Sequence, residues 1–283
     1  MPPAPLGKSA LVVGGNRGFG LALVKELASR GITVYATIRK DAAPTDGTFP
    51  SGVKVVTGVD LASEGGGADA LEKGLEGAKL DLVIISAGVL HADSLQTLNW
   101  KDHLSMYAIC AIAPAFLSAR LSKIKAFNLK SRLLLLTSEG GSIALRTKEE
   151  GGGMYGHHGS KAAGASRCLE CDLPEADDLL ACFTANMQGR LLHLDLSKEG
   201  VIVMDIHPGF MKTEMTKNVG FDQYYESGGA VEPAFAAKEV LNFAATTTPE
   251  HGGRFFAPLG PRDVGQAENV MGKNLPTPLE LPW

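Results

Sequence analysis

Residues 10–20 read ALVVGGNRGFG. An apolar, β-rich run passes straight into a glycine cluster, and Leu21, Val24, Leu27 and Ala28 follow it at helical spacing. Glycines at 14, 18 and 20 omit the Cβ atoms that would keep a ligand away from the backbone. The helix behind them turns its free N–H groups and positive dipole end toward the same place. Strand, glycine turn and helix in this order form a cradle for a pyrophosphate. The spacing is G-x3-G-x-G, and a tight turn without a ligand is the competing reading.

Working outward, the same alternation continues. Apolar runs at 32–37, 53–57, 80–85, 133–137 and 201–206 read as strands, and Phe255 and Phe256 mark a seventh. Residues 19–29 and 100–127 have helical period, the latter interrupted by Pro114. This predicts an α/β fold, a doubly wound and mostly parallel seven-stranded sheet with helices on both faces, formed by residues 1–283 as one domain. Residues 258–283 contain five prolines and no clear period, so an irregular tail across the surface is expected.

Composition narrows the function. With 45% apolar residues in a 283-residue chain, a large core can form. Basic residues number 27 against 31 acidic ones, and no lysine or arginine block could track a phosphate backbone, which argues against nucleic acid. No apolar run is read as approaching the roughly 18 residues of a membrane span. The opening MPPAPLGKSA lacks the features of a secretory signal, so a soluble cytoplasmic protein is expected. Four cysteines are too few for a disulfide scaffold. Cys168 and Cys171 form a C-x2-C, but a closed zinc site needs a second pair of ligands, and no metal is expected.

The residues after the first strand, VGGNRGFG, resemble the TGxxxGxG of the short-chain dehydrogenase/reductase family, with Val13 in place of threonine. The resemblance extends over nearly the whole chain and implies a Rossmann-type domain. Gly14, Asn16, Arg17, Gly18, Phe19 and Gly20 match the family's cofactor turn. Asp60 and Leu61 match its adenine contacts, and Ser86, Ala87 and Gly88 its NAG, with serine for asparagine. Pro208, Gly209 and Thr213, after His207, resemble the PG-x3-T stretch that lines the nicotinamide. A ribose 2′-phosphate calls for arginine after the second strand, where residues 36–40 read ATIRK. Arg39, together with Arg17, therefore points to NADP(H) over NAD(H).

The family's reaction uses Ser, Tyr and Lys, the last two as Y-x3-K. Ser138 matches the serine and Lys161 the lysine, but His157 stands where the tyrosine belongs. Residues four apart lie about 40° apart around a helix, so His157 and Lys161 share a face, whereas Tyr155 lies about 200° from His157. Cys110 falls at the family's helper asparagine. An imidazole can protonate a developing alkoxide, and Lys161 would depress its pKa by repulsion. Three readings stand: a reductase with a histidine donor or a substrate-supplied proton, an NADP(H) binder that has lost the redox step, and a fold turned to other chemistry. His158 reads as a solvent-facing neighbour and His207 as structural.

Residues 164–184 interrupt what would otherwise be one amphipathic helix, and they contain Pro174 and three of the four cysteines. A lid and a translated intron are the two readings. The aromatic and thioether groups from Phe210 to Tyr225 suggest a moderately apolar small-molecule carbonyl substrate. The family resemblance also implies a homodimer or homotetramer through the long helices.

Overall fold

The computed structural model describes residues 6–164 and 188–283. Its centre is an eight-stranded sheet. The strands are β1 (Ser9–Val13), β2 (Thr33–Thr37), β3 (Lys54–Val56), β4 (Leu80–Ile85), β5 (Phe127–Leu136), β6 (Ile202–Ile206), β7 (Phe255–Ala257) and β8 (Leu279–Glu280), in the order β3-β2-β1-β4-β5-β6-β7-β8. All neighbours are parallel except β7 and β8. The order reverses between β1 and β4, which opens a crevice beyond their carboxyl ends.

Continuous apolar strands arise because both faces of the sheet are covered. Ala10 and Val12 of β1 face one core, and Leu11 and Val13 face the other. The first core packs against α1 (Gly18–Ser29) and α8 (Pro233–Thr246), the second against α2 (Ala68–Leu75), α4 (Ala113–Lys123) and α6 (Gln188–Leu196). Helix α3 (Trp100–Tyr107) is capped by Asn99, whose side chain accepts from the Lys101 and Asp102 N–H groups at 2.9 and 3.2 Å. It runs through a π turn at Ala108–Ile112 into α4, and Pro114 falls in the first turn of α4, where a missing N–H does little harm.

Three expectations need correction. The sheet has eight strands, because the expected irregular tail supplies β8 and α9 (Ala267–Met271). Leu279 and Leu281 of that tail join Leu145, Phe255 and Val264 in a third, smaller core. Trp283 stacks on Phe255 at 5.1 Å between ring centres, and its carbonyl accepts from Ala144 N–H at 2.9 Å. A period-based reading missed the tail because its contacts are scattered anchors between prolines. Finally, Trp100–Lys123 is long and apolar enough to cross a membrane by length and composition alone. One side of it packs into the sheet, as a crossover helix does, while Trp100, Leu104, Ile112 and Phe116 stand exposed along another.

Candidate functional site

At the nucleotide end, backbone and missing side chains define the shape. Gly14 has φ +82°, and a β-carbon there would lie 2.8 Å from Ala87 Cα. A β-carbon on Gly20 would lie 2.1 Å from the Gly14 carbonyl oxygen. Thr37 clamps the turn, its hydroxyl accepting from Gly14 N–H at 3.0 Å and its carbonyl from Gly15 N–H at 3.1 Å. Asn16, Arg17 and Gly18 are exposed at the head of α1, whose first turn carries no acidic residue and no side-chain cap. The free N–H groups and open backbone there fit a phosphate group. Arg39 is exposed just beyond β2, and among the described residues neither Arg17 nor Arg39 is paired with a carboxylate. Phe19, expected at the cofactor, turns its ring into the first core.

The loop after β4 borders this turn. Ser86 N–H donates to Val13 O at 3.0 Å, which holds Ser86, Ala87 and Gly88 beside it. Leu61 is buried in the second core, and Asp60 accepts from Ala62 N–H at 3.1 Å. Across the crevice, Pro208 and Gly209 are buried, and Thr213 caps α7 (Glu214–Asn218) by accepting from Thr216 N–H at 3.2 Å.

At the reaction end, α5 (Tyr155–Gly164) carries His157 and Lys161. Lys161 Nζ donates to Leu136 O at 3.1 Å, and Thr137 Oγ1 donates to the Lys161 carbonyl at 3.3 Å. Nζ and Cys110 Sγ lie 3.7 and 3.8 Å from the point where a Gly88 side chain would begin, so the lysine reaches the loop that borders the glycine turn. Ser138 follows β5, and its Oγ accepts from Gly140 N–H at 3.1 Å. His158 is not the solvent-facing neighbour expected, because a β-carbon on Gly140 would lie 2.6 Å from its Cδ2 and 3.3 Å from Ser138 Oγ. Glycine at 140 thus lets the imidazole pack beside the serine. Tyr155 begins the helix and is exposed.

The charged neighbours that act most on His157 are all basic. Burial and the neighbouring Lys161, then His158, Arg146 and His207, push its pKa down to about 3, and its Nδ1 is buried with no hydrogen-bond partner among the described residues. His157 is therefore neutral at neutral pH. Burial also lowers the pKa of His158. His207 is buried, with Nδ1 accepting from Glu139 N–H at 3.2 Å and Nε2 facing the Asp263 carboxylate at 3.7 Å. Burial opposes charge on this ring, but Asp263 outweighs it and raises the pKa. Asp263 also accepts from Phe210 N–H. The tail thus ties the segment after Ser138 to the start of the aromatic loop. In that loop Phe210 packs against Phe221 and Tyr225, while Met215 and Tyr224 are exposed.

Asp93, Arg146 and Asp263 were missed in the sequence. Each sits in an irregular segment outside the motifs, so only the folded chain shows what it reaches. Residues 165–184 of the expected excursion, with Cys168, Cys171 and Cys182, lie outside the described residues.

A glycine turn at a topological switch point, facing a lysine and a serine across a crevice, defines a dinucleotide-binding α/β protein of the doubly wound class. The short chain dehydrogenase family matches residues 8–165, and the chain belongs to that family. It is 30% identical over 249 residues to the 1-hydroxy-2-glutathionyl-2-methyl-3-butene dehydrogenase of Rhodococcus sp. (strain AD45), spanning 87% of this chain and 95% of the relative. Among solved structures, the NADPH-bound carbonyl reductase from chicken fatty liver superposes with a TM-score of 0.67 at 23% identity, covering 88% of this chain and 91% of that one. The carbonyl reductase Sniffer of D. melanogaster also gives 0.67, at 18% identity, covering 98% and 99%.

Proposed function

We propose that this chain is an NADP(H)-dependent oxidoreductase that reduces the carbonyl of a small, moderately apolar ketone or aldehyde. The observation that carries this reading is Lys161 Nζ, brought to Gly88 on the loop that abuts the glycine turn. Bound NADPH supplies hydride. The turn from Gly14 to Gly20 and the head of α1 hold the pyrophosphate, and Arg17 and Arg39 pair with the 2′-phosphate. Asp60 and Leu61 would border the adenine, Ser86, Ala87 and Gly88 would line the cofactor beside the glycine turn, and Pro208, Gly209 and Thr213 would border the nicotinamide. Lys161 orients the adjoining ribose, Ser138 holds the substrate oxygen, and His157 delivers the proton. Exposed Met215 and Tyr224 offer apolar surface to the substrate. The dehydrogenase relative and the two carbonyl reductases of like fold favour chemistry at a carbonyl or alcohol. The exposed apolar row on α3 and α4 supports self-association of the chain.

A second reading, an NADP(H) binder with a regulatory or non-redox role, is favoured by one observation: burial and cationic neighbours leave His157 uncharged at neutral pH. NADPH oxidation over a panel of ketones and aldehydes, for the native chain and His157→Tyr, separates the two. Turnover by the native chain supports the reductase. NADPH binding with turnover only in the variant supports the binder, and absence of NADPH binding in both overturns the reading.

A further inference from the structure

The two turns of α5 are anchored by different means. The second turn is tied to β5 and to Thr137 just beyond it, through Lys161 Nζ on Leu136 O and Thr137 Oγ1 on the Lys161 carbonyl. Gly141 adds a close approach, since a β-carbon there would lie 2.8 Å from the Lys161 carbonyl carbon. Among the described residues, the first turn makes no such hydrogen bond to β5 or Thr137. It is held by Asp93, from the segment between β4 and α3. The Asp93 carboxylate accepts from Tyr155 N–H at 2.6 Å and from Gly156 N–H at 2.9 Å, and its main-chain carbonyl accepts from Met154 N–H at 3.0 Å. His103 Nε2 on α3 lies 2.9 Å from the same carboxylate, which is only 4% exposed. A buried carboxylate with two helix N–H groups satisfies free donors and complements the dipole. Gly156 leaves room for this packing, because a β-carbon would lie 2.1 Å from Met106 Cε.

We propose that Asp93 is a positioning residue for the reaction, fixing the first turn of α5 and with it the His157 ring, while Lys161 keeps its place without it. The inference deepens the reading of His157 as the proton donor and rests on it. It separates two properties that sit on one helix. Loss of Asp93 should disturb proton delivery and leave nucleotide binding nearly intact.

The test compares the native chain with Asp93→Asn, which keeps one acceptor at the helix end but places an NH2 group where the second acceptor stood. Three quantities are read: the NADPH Kd by fluorescence, kcat with its pH profile, and the His157 ring titration by NMR. The groups facing His157 are Lys161 and His158 on α5, Arg146 after β5 and His207 after β6. The expected result is a Kd within about twofold of native, a His157 titration moved up from about 3 toward 6.5 as the ring gains water with the bend of the pH-rate profile moving alongside it, and a limiting kcat, reached with the ring protonated, down about tenfold or more. An unchanged His157 titration, or parallel losses in Kd, kcat and melting temperature, would show that Asp93 is only a helix cap and overturn the proposal. If Asp93→Asn does not fold, His103→Leu removes a partner of the same carboxylate and should give a smaller shift in the same direction. If the native chain turns over no carbonyl, the reductase reading fails and the reaction role of Asp93 falls with it, while the NMR titration still reads separately whether Asp93 holds the His157 ring.

Discussion

The turn after β1 and the turn after β5 both deliver groups to the same edge of the sheet, but they are made differently. The first works through backbone and the absence of side chains: Gly14 against Ala87, Gly20 against the Gly14 carbonyl, and a helix end with no acid. The second is completed by side chains from α5 and from the segments after β5 and β6, with His157, His158, Lys161, Arg146 and His207 near one site. Steric fit tolerates almost no substitution. An electrostatic cluster tolerates replacement of a member and changes its pH dependence instead. A histidine can therefore occupy position 157 in a chain whose nucleotide end keeps the family pattern.

The largest effect expected of this contrast is at Gly20. Gly20→Ala puts a carbon 2.1 Å from a carbonyl oxygen, and backbone cannot yield that far, so NADPH binding should fall below detection by calorimetry. Retained binding in a folded variant would break the steric account of the first turn.

Next comes the pH profile. With the imidazolium pKa at about 3, the protonated fraction of His157 changes about tenfold per pH unit above it. The rate of carbonyl reduction should fall about tenfold per unit from pH 5 to pH 8, about a thousandfold in all. His157→Tyr should flatten that slope. The same lowered pKa sets a stability trend, because the unfolded chain takes up a proton near 6.5 that the folded chain refuses until about 3. Stability from this group is complete above pH 6.5 and lost as pH falls toward 3, so His157→Gln should lessen the acid-induced drop in melting temperature.

A smaller effect belongs to Arg39. Removing one charge-assisted phosphate contact costs about 1.5–3 kcal/mol, so Arg39→Ala should weaken NADPH about 10- to 150-fold and leave NADH nearly unchanged in a competition titration. Equal losses for both nucleotides would remove Arg39 from the 2′-phosphate.

The smallest is at Asp263, which joins the two sides of the reaction end. Asp263→Asn removes the charge facing His207 and should lower unfolding free energy by about 1–3 kcal/mol in a denaturant titration near pH 6. The raised pKa of His207 makes this loss greatest at low pH, where the ring is charged, and smaller as pH rises through its titration.

The same contrast explains what was legible in the sequence. Residues 10–20 disclosed the fold because a strand, a cluster of four glycines and a helix are contiguous, and local backbone demands leave local marks. Ser138, His157 and Lys161 were legible through spacing and family resemblance. The neutral state of His157 was less so, because its main cause is burial in the folded chain, to which Lys161, His158, and then Arg146 from after β5 and His207 from after β6 add. Asp93 left no mark, since a loop aspartate that caps a helix from 62 residues away looks like any surface acid. The tail was misread for the same reason: β8 pairs over only two residues, Phe256 with Glu280 and Ala257 with Leu279.

That short strand bears on inheritance. Trp283 stacks on Phe255 and receives the Ala144 N–H six residues beyond Ser138, so a segment far along the chain from the glycine turn braces the stretch that follows the serine. A nonsense change that removed residues 279–283 would spare every residue of the nucleotide turn and still loosen the segment beside Ser138.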